Sequence, residues 1–188
     1  MRPLDTDTAI VRRLVQADGQ PTPGPRIAEA LGCSRVSVHN RIEALCAEGF
    51  GITAAPRRGY QLTALPQAVH PAAIGALLAE AGCAVNLIFR DTMDSTQAEA
   101  SRQLAAGAGA PLVAVARAQT AGRGRLGRAW HSEDGRNLYL SMGWRPLIPA
   151  LGMARFTLVL GLAIADALEA GWGVRPMIKW PNDLLLDG

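Results

Sequence analysis

The chain has 188 residues, of which 49% are hydrophobic, so we expect it to fold as one large or two small domains. Its formal net charge of +3 permits a nucleic-acid or phosphate partner without requiring one. The longest apolar run, residues 156–165, is far shorter than the roughly 20 residues of a membrane helix, which excludes a membrane span or partner.

Cysteine and lysine are scarce. The cysteines Cys33, Cys46 and Cys83 are odd in number and lack metal-ligand spacing, and the first residues do not resemble a secretory leader, so we expect a cytoplasmic protein. Lys179 is the only lysine, and every other basic residue is an arginine. The single lysine, with its compact ammonium group, has either been retained by chance or has a function.

The first sixty residues predict three helices. Ile10, Leu14 and Val15 lie at helical spacing, and the stretch "GQPTPGP" then interrupts the pattern. There Thr22 is predicted to be the N-cap of a short second helix and Pro23 its first residue. Gly32 is predicted to end that helix.

A third helix follows at once, capped by Ser34 and burying Val38, Ile42 and Leu45. A short helix, a turn and a further helix make a helix-turn-helix, whose last helix can lie in the major groove. The stretch "ITAAPRRGYQL" then predicts a hairpin with Arg57 and Arg58 at its tip, which would be a wing.

Arginine, asparagine and serine on the outer face of this module suit guanine, adenine and phosphate contacts. The predicted DNA-binding residues are Ser34, Arg35, Ser37, Asn40, Arg41, Arg57 and Arg58. The alternative is an ordinary three-helix packing domain whose polar face is solvated.

The pattern weakens near Pro66 and Pro71, so we place a domain boundary between residues 64 and 65. The first domain then covers residues 1–64 and the second residues 65–188. The second alternates helix and strand, which predicts an α+β chain with a mixed sheet. Its predicted helices are about 72–81, 96–106 and 153–170, and its predicted strands are 84–90, 111–119, 137–144 and 174–180.

The stretch "AGRGRLGRAW", residues 121–130, combines glycines with Arg123, Arg125 and Arg128. Its glycines spell G-x-G-x-x-G, but a dinucleotide fold needs a helix next, and here a loop and a strand follow. Arg-Gly tracts that bind RNA repeat, and this one occurs once. The stretch therefore predicts a loop whose backbone approaches an anion closely while its arginines neutralise that anion.

Four motifs together resemble the biotin protein ligases: "DST" (94–96), "QTAGRGRLGRAW" (119–130), "NLYLSM" (137–142) and "KWPND" (179–183). The helix-turn-helix in front makes the chain similar to the bifunctional bacterial type, which is both a ligase and the biotin operon repressor. The resemblance implies a winged helix-turn-helix followed by a mixed-sheet catalytic domain like that of class II synthetases.

The resemblance also implies an activity and partners. Such enzymes join biotin to ATP, with Mg²⁺, giving biotinyl-adenylate and pyrophosphate. They then transfer biotin to a lysine of the biotin carboxyl carrier protein of acetyl-CoA carboxylase, and the repressors bind operator DNA. A homodimer is one option, because repressor-ligases pair through their sheets.

Site residues are implied by the same resemblance. Biotin would be bound by Ser95, Thr96, Gln119, Gly122, Arg123 and Arg125, and ATP by Arg125, Arg128, Trp130, Lys179 and Asn182. Arg123, Arg125, Lys179 and Asp183 would be catalytic, with Mg²⁺ or the acceptor amine near Asp183. Read without the resemblance, "DST" predicts a helix N-cap and "PND" a turn.

In the family a second strand follows this motif and carries a lysine seven residues past Asp183, which here would be position 190. Later strands and a small C-terminal barrel-like domain would follow as well. We therefore expect the 188 residues to be part of a longer protein, and we expect turnover from the parent protein rather than from this part. Two alternatives stay open: a biotin-sensing repressor without ligase turnover, and a related ligase for lipoate or octanoate.

Overall fold

The computed structural model describes residues 3–124, 128–132, 137–145, 153–179 and 183–186. The chain forms two compact units, Met1–Trp144 and Arg145–Gly188. The helices are α1 (Pro3–Gln16), α2 (Gly24–Leu31), α3 (Arg35–Ala47), α4 (Pro71–Glu80), α5 (Thr96–Ala105) and α6 (Met153–Trp172). The strands are β1 (Gly51–Ala55), β2 (Gly59–Ala64), β3 (Asn86–Met93), β4 (Leu112–Gln119), β5 (Tyr139–Gly143), β6 (Met177–Lys179) and β7 (Asp183–Leu185).

The predicted helix-turn-helix is present, and α1, α2 and α3 share one apolar core. The spacing of Val38, Ile42 and Leu45 along α3 turns all three side chains into this core, where they are buried. Ser34 caps α3, as predicted, since its hydroxyl accepts a hydrogen bond from the amide of Ser37 at 3.0 Å.

The predicted start of the second helix was wrong by one residue. The N-cap is Pro23 rather than Thr22, and α2 begins at Gly24. Thr22 is held elsewhere, because its amide donates to the carbonyl of Tyr60 at 2.7 Å and its carbonyl accepts from the amide of Tyr60 at 2.9 Å. This bridge fastens the wing to the segment before α2.

The wing is the antiparallel hairpin of β1 and β2, with Arg57 and Arg58 in its turn as predicted. Arg57 adopts a positive φ of 61°, which the tight turn requires. Gly59 is constrained by close approach, because a Cβ there would lie 2.0 Å from the carbonyl oxygen of Thr22.

Helix α4 packs on α1, although the sequence places it beyond the predicted boundary. Ala72, Ala73 and Ala76 are buried in the same core as the helix-turn-helix. The two helices approach closely, since a Cβ on Gly75 would lie 2.9 Å from the Cγ2 of Thr8. The boundary at 64 and 65 stays a prediction, and this packing favours a first module that includes α4.

The sheet of the first unit has the order β3-β4-β5, with β4 parallel to β3 and antiparallel to β5. Helix α5 covers one face, where Ala100, Leu112 and Ala114 are buried together. Strand β3 extends beyond the predicted 84–90 to Met93, because a strand at the edge of a sheet tolerates exposed polar residues such as Asp91.

In the second unit, α6 covers the predicted 153–170, and β6 is shorter than the predicted 174–180. Strand β7, which the sequence analysis missed, pairs antiparallel with β6 and sets Lys179 opposite Asp183. Within the described ranges, no helix has the length and apolar character needed to cross a membrane.

The packing of α4 on α1 generates a first prediction. Ala76→Leu inserts a larger side chain into a closed contact and should lower the free energy of unfolding by about 1–3 kcal/mol. Ala105→Leu, at an exposed position near the end of α5, is the matched control and should change it by less than about 0.5 kcal/mol. Urea denaturation followed by circular dichroism measures both. Equal effects would mean that α4 does not belong to this core.

Candidate functional site

The candidate site lies at the edge of the sheet where β3 and β4 end. Because the two strands are parallel and Met93 pairs with Gln119, the segments that follow them leave the sheet side by side. The carbonyl of Met93 accepts from the amide of Thr120 at 2.9 Å, and the carbonyl of Asp94 accepts from the amide of Ala121 at 2.8 Å. The motif "DST" is thus joined to the start of the arginine-glycine loop.

Ser95 and Thr96 are only 3% and 4% exposed, although both side chains are polar. Ser95 is the N-cap of α5 and accepts a hydrogen bond from the amide of Ala98 at 3.4 Å. This confirms the predicted helix cap. The cap holds both hydroxyl-bearing residues at the end of the sheet.

Gln119 connects this turn to the strand ends. Its Oε1 accepts from the amide of Thr96 at 2.8 Å and from the hydroxyl of Thr96 at 3.2 Å. Its Nε2 donates to the Oγ of Ser132 at 3.0 Å, and the Oγ atoms of Thr96 and Ser141 lie 2.9 Å apart. A backbone amide can only donate, so this network fixes the orientation of the Gln119 side chain.

Around this network is a cavity of about 220 Å³. Its buried polar groups are neutral hydroxyls, and its cationic group, Arg123, is exposed. The lining residues are Ser95, Thr96, Gln97, Gln119, Arg123, Trp130, Leu138, Tyr139, Leu140 and Ser141. The cavity therefore suits a ligand with a neutral hydrogen-bonding end and an anionic end.

The arginine-glycine loop folds back on itself. The amide of Gly124 donates to the carbonyl of Arg128 at 2.8 Å, and the amide of Trp130 donates to the carbonyl of Gly122 at 2.8 Å. Gly122 is buried, and a Cβ there would lie 2.8 Å from the Oγ of Ser132. Any larger residue at 122 would push the loop off the polar network. Arg123, Arg128 and Trp130 have exposed side chains.

Of the other predicted site residues, Arg125 and Asn182 fall outside the described residues. Lys179 and Asp183 face each other across β6 and β7 in the second unit, and both are exposed. In the part of the chain that the structure describes, no group of three or more His, Cys, Asp or Glu side chains could hold a metal ion.

The sequence analysis did not assign Ser132 or Ser141. The position of Ser141 could have been predicted from the sequence. It lies two residues after Tyr139 along β5 and therefore shares a face of the sheet with it. The position of Ser132 could not, since only the return of the loop brings it to Gln119.

An ion-pair cluster supports the turn from outside. The guanidinium of Arg102 donates to both carboxylate oxygens of Asp94, at 2.8 Å each, and to Glu99 at 2.6 Å. Asp94 also accepts from the amide of Ser95 at 2.8 Å. The bond from Arg102, and then that from Ser95, hold the pKa of Asp94 well below its usual range.

A second candidate site is the groove between α3 and the wing, with a volume of about 770 Å³. Arg35, Arg57 and Arg58 line it, and Asn40 is exposed. The prediction for Arg41 needs a correction, because its guanidinium is not on the outer face. It pairs with the carboxylate of Asp7, a buried residue of α1, and this pairing raises the pKa of Arg41.

Known protein families match the chain over the regions that contain both candidate sites. The model of the biotin/lipoate A/B protein ligase family matches residues 89–188, and the model of an HTH domain matches residues 7–61. These matches confirm the predicted order of a helix-turn-helix domain and a mixed-sheet ligase domain.

The bifunctional ligase/repressor BirA of Bacillus spizizenii is 36% identical over 179 residues, which are 95% of this chain and 55% of that protein. The biotin-acetyl-CoA-carboxylase ligase of Paracoccus denitrificans is 45% identical over 97 residues, 50% of this chain and 40% of that protein. The solved biotin protein ligase from Aquifex aeolicus, in complex with biotin and ATP, is 39% identical with a TM-score of 0.47, covering 54% of this chain and 41% of that one. The chain spans about half the length of the curated relatives it matches.

The Asp94 cluster generates a prediction about pH. Because the folded-state pKa of Asp94 is lowered, its pair with Arg102 stabilises the fold above the ordinary aspartate pKa of about 3.9, and this stabilisation is lost as the pH falls through the folded-state pKa. Arg102→Met should raise the Asp94 pKa towards about 3.9, as read from the carboxyl-carbon NMR shift during acid titration. Arg175→Met removes the pair with Glu169 instead and should leave Asp94 unchanged. An unaltered titration in Arg102→Met would assign the lowered pKa to the Ser95 amide alone.

Proposed function

Since the chain belongs to the biotin/lipoate A/B protein ligase family, we propose that the protein is an ATP-dependent biotin protein ligase that also represses biotin-related genes. The ligase would form biotinyl-adenylate and transfer biotin to a lysine of the biotin carboxyl carrier protein. The names of the relatives BirA and biotin-acetyl-CoA-carboxylase ligase favour both halves of this proposal.

The observation that carries the ligase proposal is the change of polarity across the cavity. Biotin has a neutral ureido ring at one end and a carboxylate at the other. Thr96, Gln119 and Ser141 offer hydroxyl and amide groups that pair with a neutral urea, where a buried charge would be costly. The exposed guanidinium of Arg123 lines the same cavity and suits the carboxylate.

In the proposed first step, the biotin carboxylate attacks the α-phosphate of ATP, an acyl-phosphate bond forms, and pyrophosphate leaves. The two reactants are anions that repel each other unless cations lie between them. We assign Arg123 and Arg125 to the carboxylate and the phosphate, and Arg128 to the ATP phosphates. Trp130, 62% exposed, would cover the adenylate and exclude water from the hydrolysable anhydride.

In the proposed second step, the acceptor lysine amine attacks the acyl carbon and AMP leaves. Lys179 and Asn182 would serve the phosphates, and Asp183 the incoming amine. Among the described residues, no group of three or more His, Cys, Asp or Glu side chains fits a Mg²⁺ ion. We further propose a cytoplasmic location, with a homodimer as the alternative to a monomer.

Two alternatives make different predictions. A lipoate or octanoate substrate lacks the urea, so it would gain no hydrogen bonds from the hydroxyl and amide groups around Gln119, and the site should favour biotin over it. A sensor without turnover would bind biotin in the same cavity but release no pyrophosphate.

The ligase proposal is tested by measuring pyrophosphate release with the purified protein. Biotin, but not lipoate, should support pyrophosphate release from ATP. Arg125→Ala should lower the rate by about 100-fold or more, because one cation facing the developing charge is lost. Arg90→Ala, an exposed arginine on β3, is the matched control and should leave the rate unchanged. Biotin binding without release would identify a sensor, and full activity in Arg125→Ala would refute the role of the loop.

The repressor proposal rests on the positive groove between α3 and the wing. Duplex DNA binding by this groove should weaken steeply as salt is added, because phosphate contacts release counterions. Arg57→Ala and Arg58→Ala should each lower the steepness of log K against log salt by about 0.9. Arg41→Met is the contrasting variant: its guanidinium pairs with Asp7, so it should cost stability and leave the salt slope unchanged. Fluorescence anisotropy over a salt series measures the slopes, and equal slopes in all variants would remove the wing from the interface.

A further inference from the structure

Val36, the second residue of the recognition helix α3, is 67% exposed. The core-facing positions of α3 are Val38, Ile42 and Leu45, so Val36 contributes nothing to the packing of the module. A β-branched residue in the first turn of a helix also has a lower helix propensity than alanine. Neither packing nor helix formation therefore accounts for an apolar side chain at this position.

The neighbours of Val36 are polar or cationic. His39 and Asn40 follow it by three and four residues and share its strip of the helix. Arg35 precedes it, and the wing arginine Arg57 lines the same groove. The groove thus carries a guanidinium group on its helix wall and another on its wing wall together with an exposed apolar side chain, which complements a duplex that presents both phosphates and base edges.

The wing also limits which side chains can turn to a ligand. His39 is held through Nδ1 by the hydroxyl of Tyr60 at 3.3 Å, and through Nε2 it lies 3.3 Å from the carboxylate of Glu43. Val36 and Asn40 are both exposed and lie one helical turn apart on the same strip, and neither is part of this His39 network.

We propose that Val36 is a specificity-determining residue that reads the C5-methyl group of a thymine in the major groove, and that Asn40 reads an adenine beside it. This inference rests on the proposed DNA binding and names the kind of base pair that it selects. The thymine methyl is the one apolar group on the major-groove edges, and adenine presents a donor and an acceptor that match an amide. The recognised DNA site should therefore contain A·T pairs opposite the first turn of α3.

The test starts from a pool of random duplexes enriched on the unaltered protein, after which each thymine is replaced singly by deoxyuridine, which lacks only the methyl. Replacement of at least one thymine in the recognised site should lower the affinity of the protein about fourfold, the effect of one buried methyl group. In Val36→Ala the same replacement should have no effect, while a thermal melt shows the fold unchanged. Arg57→Ala is the contrasting variant and should weaken both duplexes and keep the fourfold ratio.

The possible failures are distinct. If no duplex is enriched, both the proposed DNA binding and this inference are overturned. If a duplex is enriched but no thymine methyl matters, or Val36→Ala still responds to its removal, DNA binding stands and the assignment of Val36 is wrong.

Discussion

The candidate ligase site depends on the parallel register that sets Met93 of β3 beside Gln119 of β4. Because parallel strands end at the same edge, this register brings the buried hydroxyl of Thr96 within 3.2 Å of the side-chain Oε1 of Gln119. A slip of one residue would turn Gln119 to the other face of the sheet and separate the two groups. The return of the arginine-glycine loop to Ser132 depends on the same side chain, since the other end of Gln119 holds Ser132.

The connection between the helix-turn-helix and the sheet is held at two consecutive residues. His70 caps α4 by accepting from the amide of Ala72 at 3.1 Å, and its Nε2 lies 2.7 Å from the carboxylate of Glu48, the C-cap residue of α3. The carbonyl of Val69 accepts from Arg117 of β4 at 3.0 Å. The segment that follows the predicted domain boundary is therefore tied both to the end of α3 and to the strand that ends in the candidate site.

Periodicity and turn chemistry predicted most helices and strands because these signals are local. Ser34 caps α3 as predicted since a cap needs only the next three residues. The positions that differ from the prediction depend on contacts with residues distant in the sequence. Thr22 does not cap α2 because it forms a backbone bridge with Tyr60, and the side chain of Arg41 pairs with a buried carboxylate on α1 rather than lying on the outer face. Likewise Ser132 reaches the site only because a loop closes, which no spacing in the sequence records.

The charge beside the neutral end of the cavity also follows from tertiary contacts. Asp94 precedes Ser95, which lines the cavity, and an uncompensated carboxylate there would weaken the attraction of Arg123 for an anionic ligand. The guanidinium of Arg102 binds both oxygens of that carboxylate and lowers its pKa, so Asp94 stays ionised with its charge compensated. The carboxylate of Asp94 can then hold the turn by accepting a hydrogen bond from the Ser95 amide, and it does not cancel the positive charge of the loop. The Asp94–Arg102 ion pair therefore supports the neutral end of the cavity and leaves the positive charge at the other end in place.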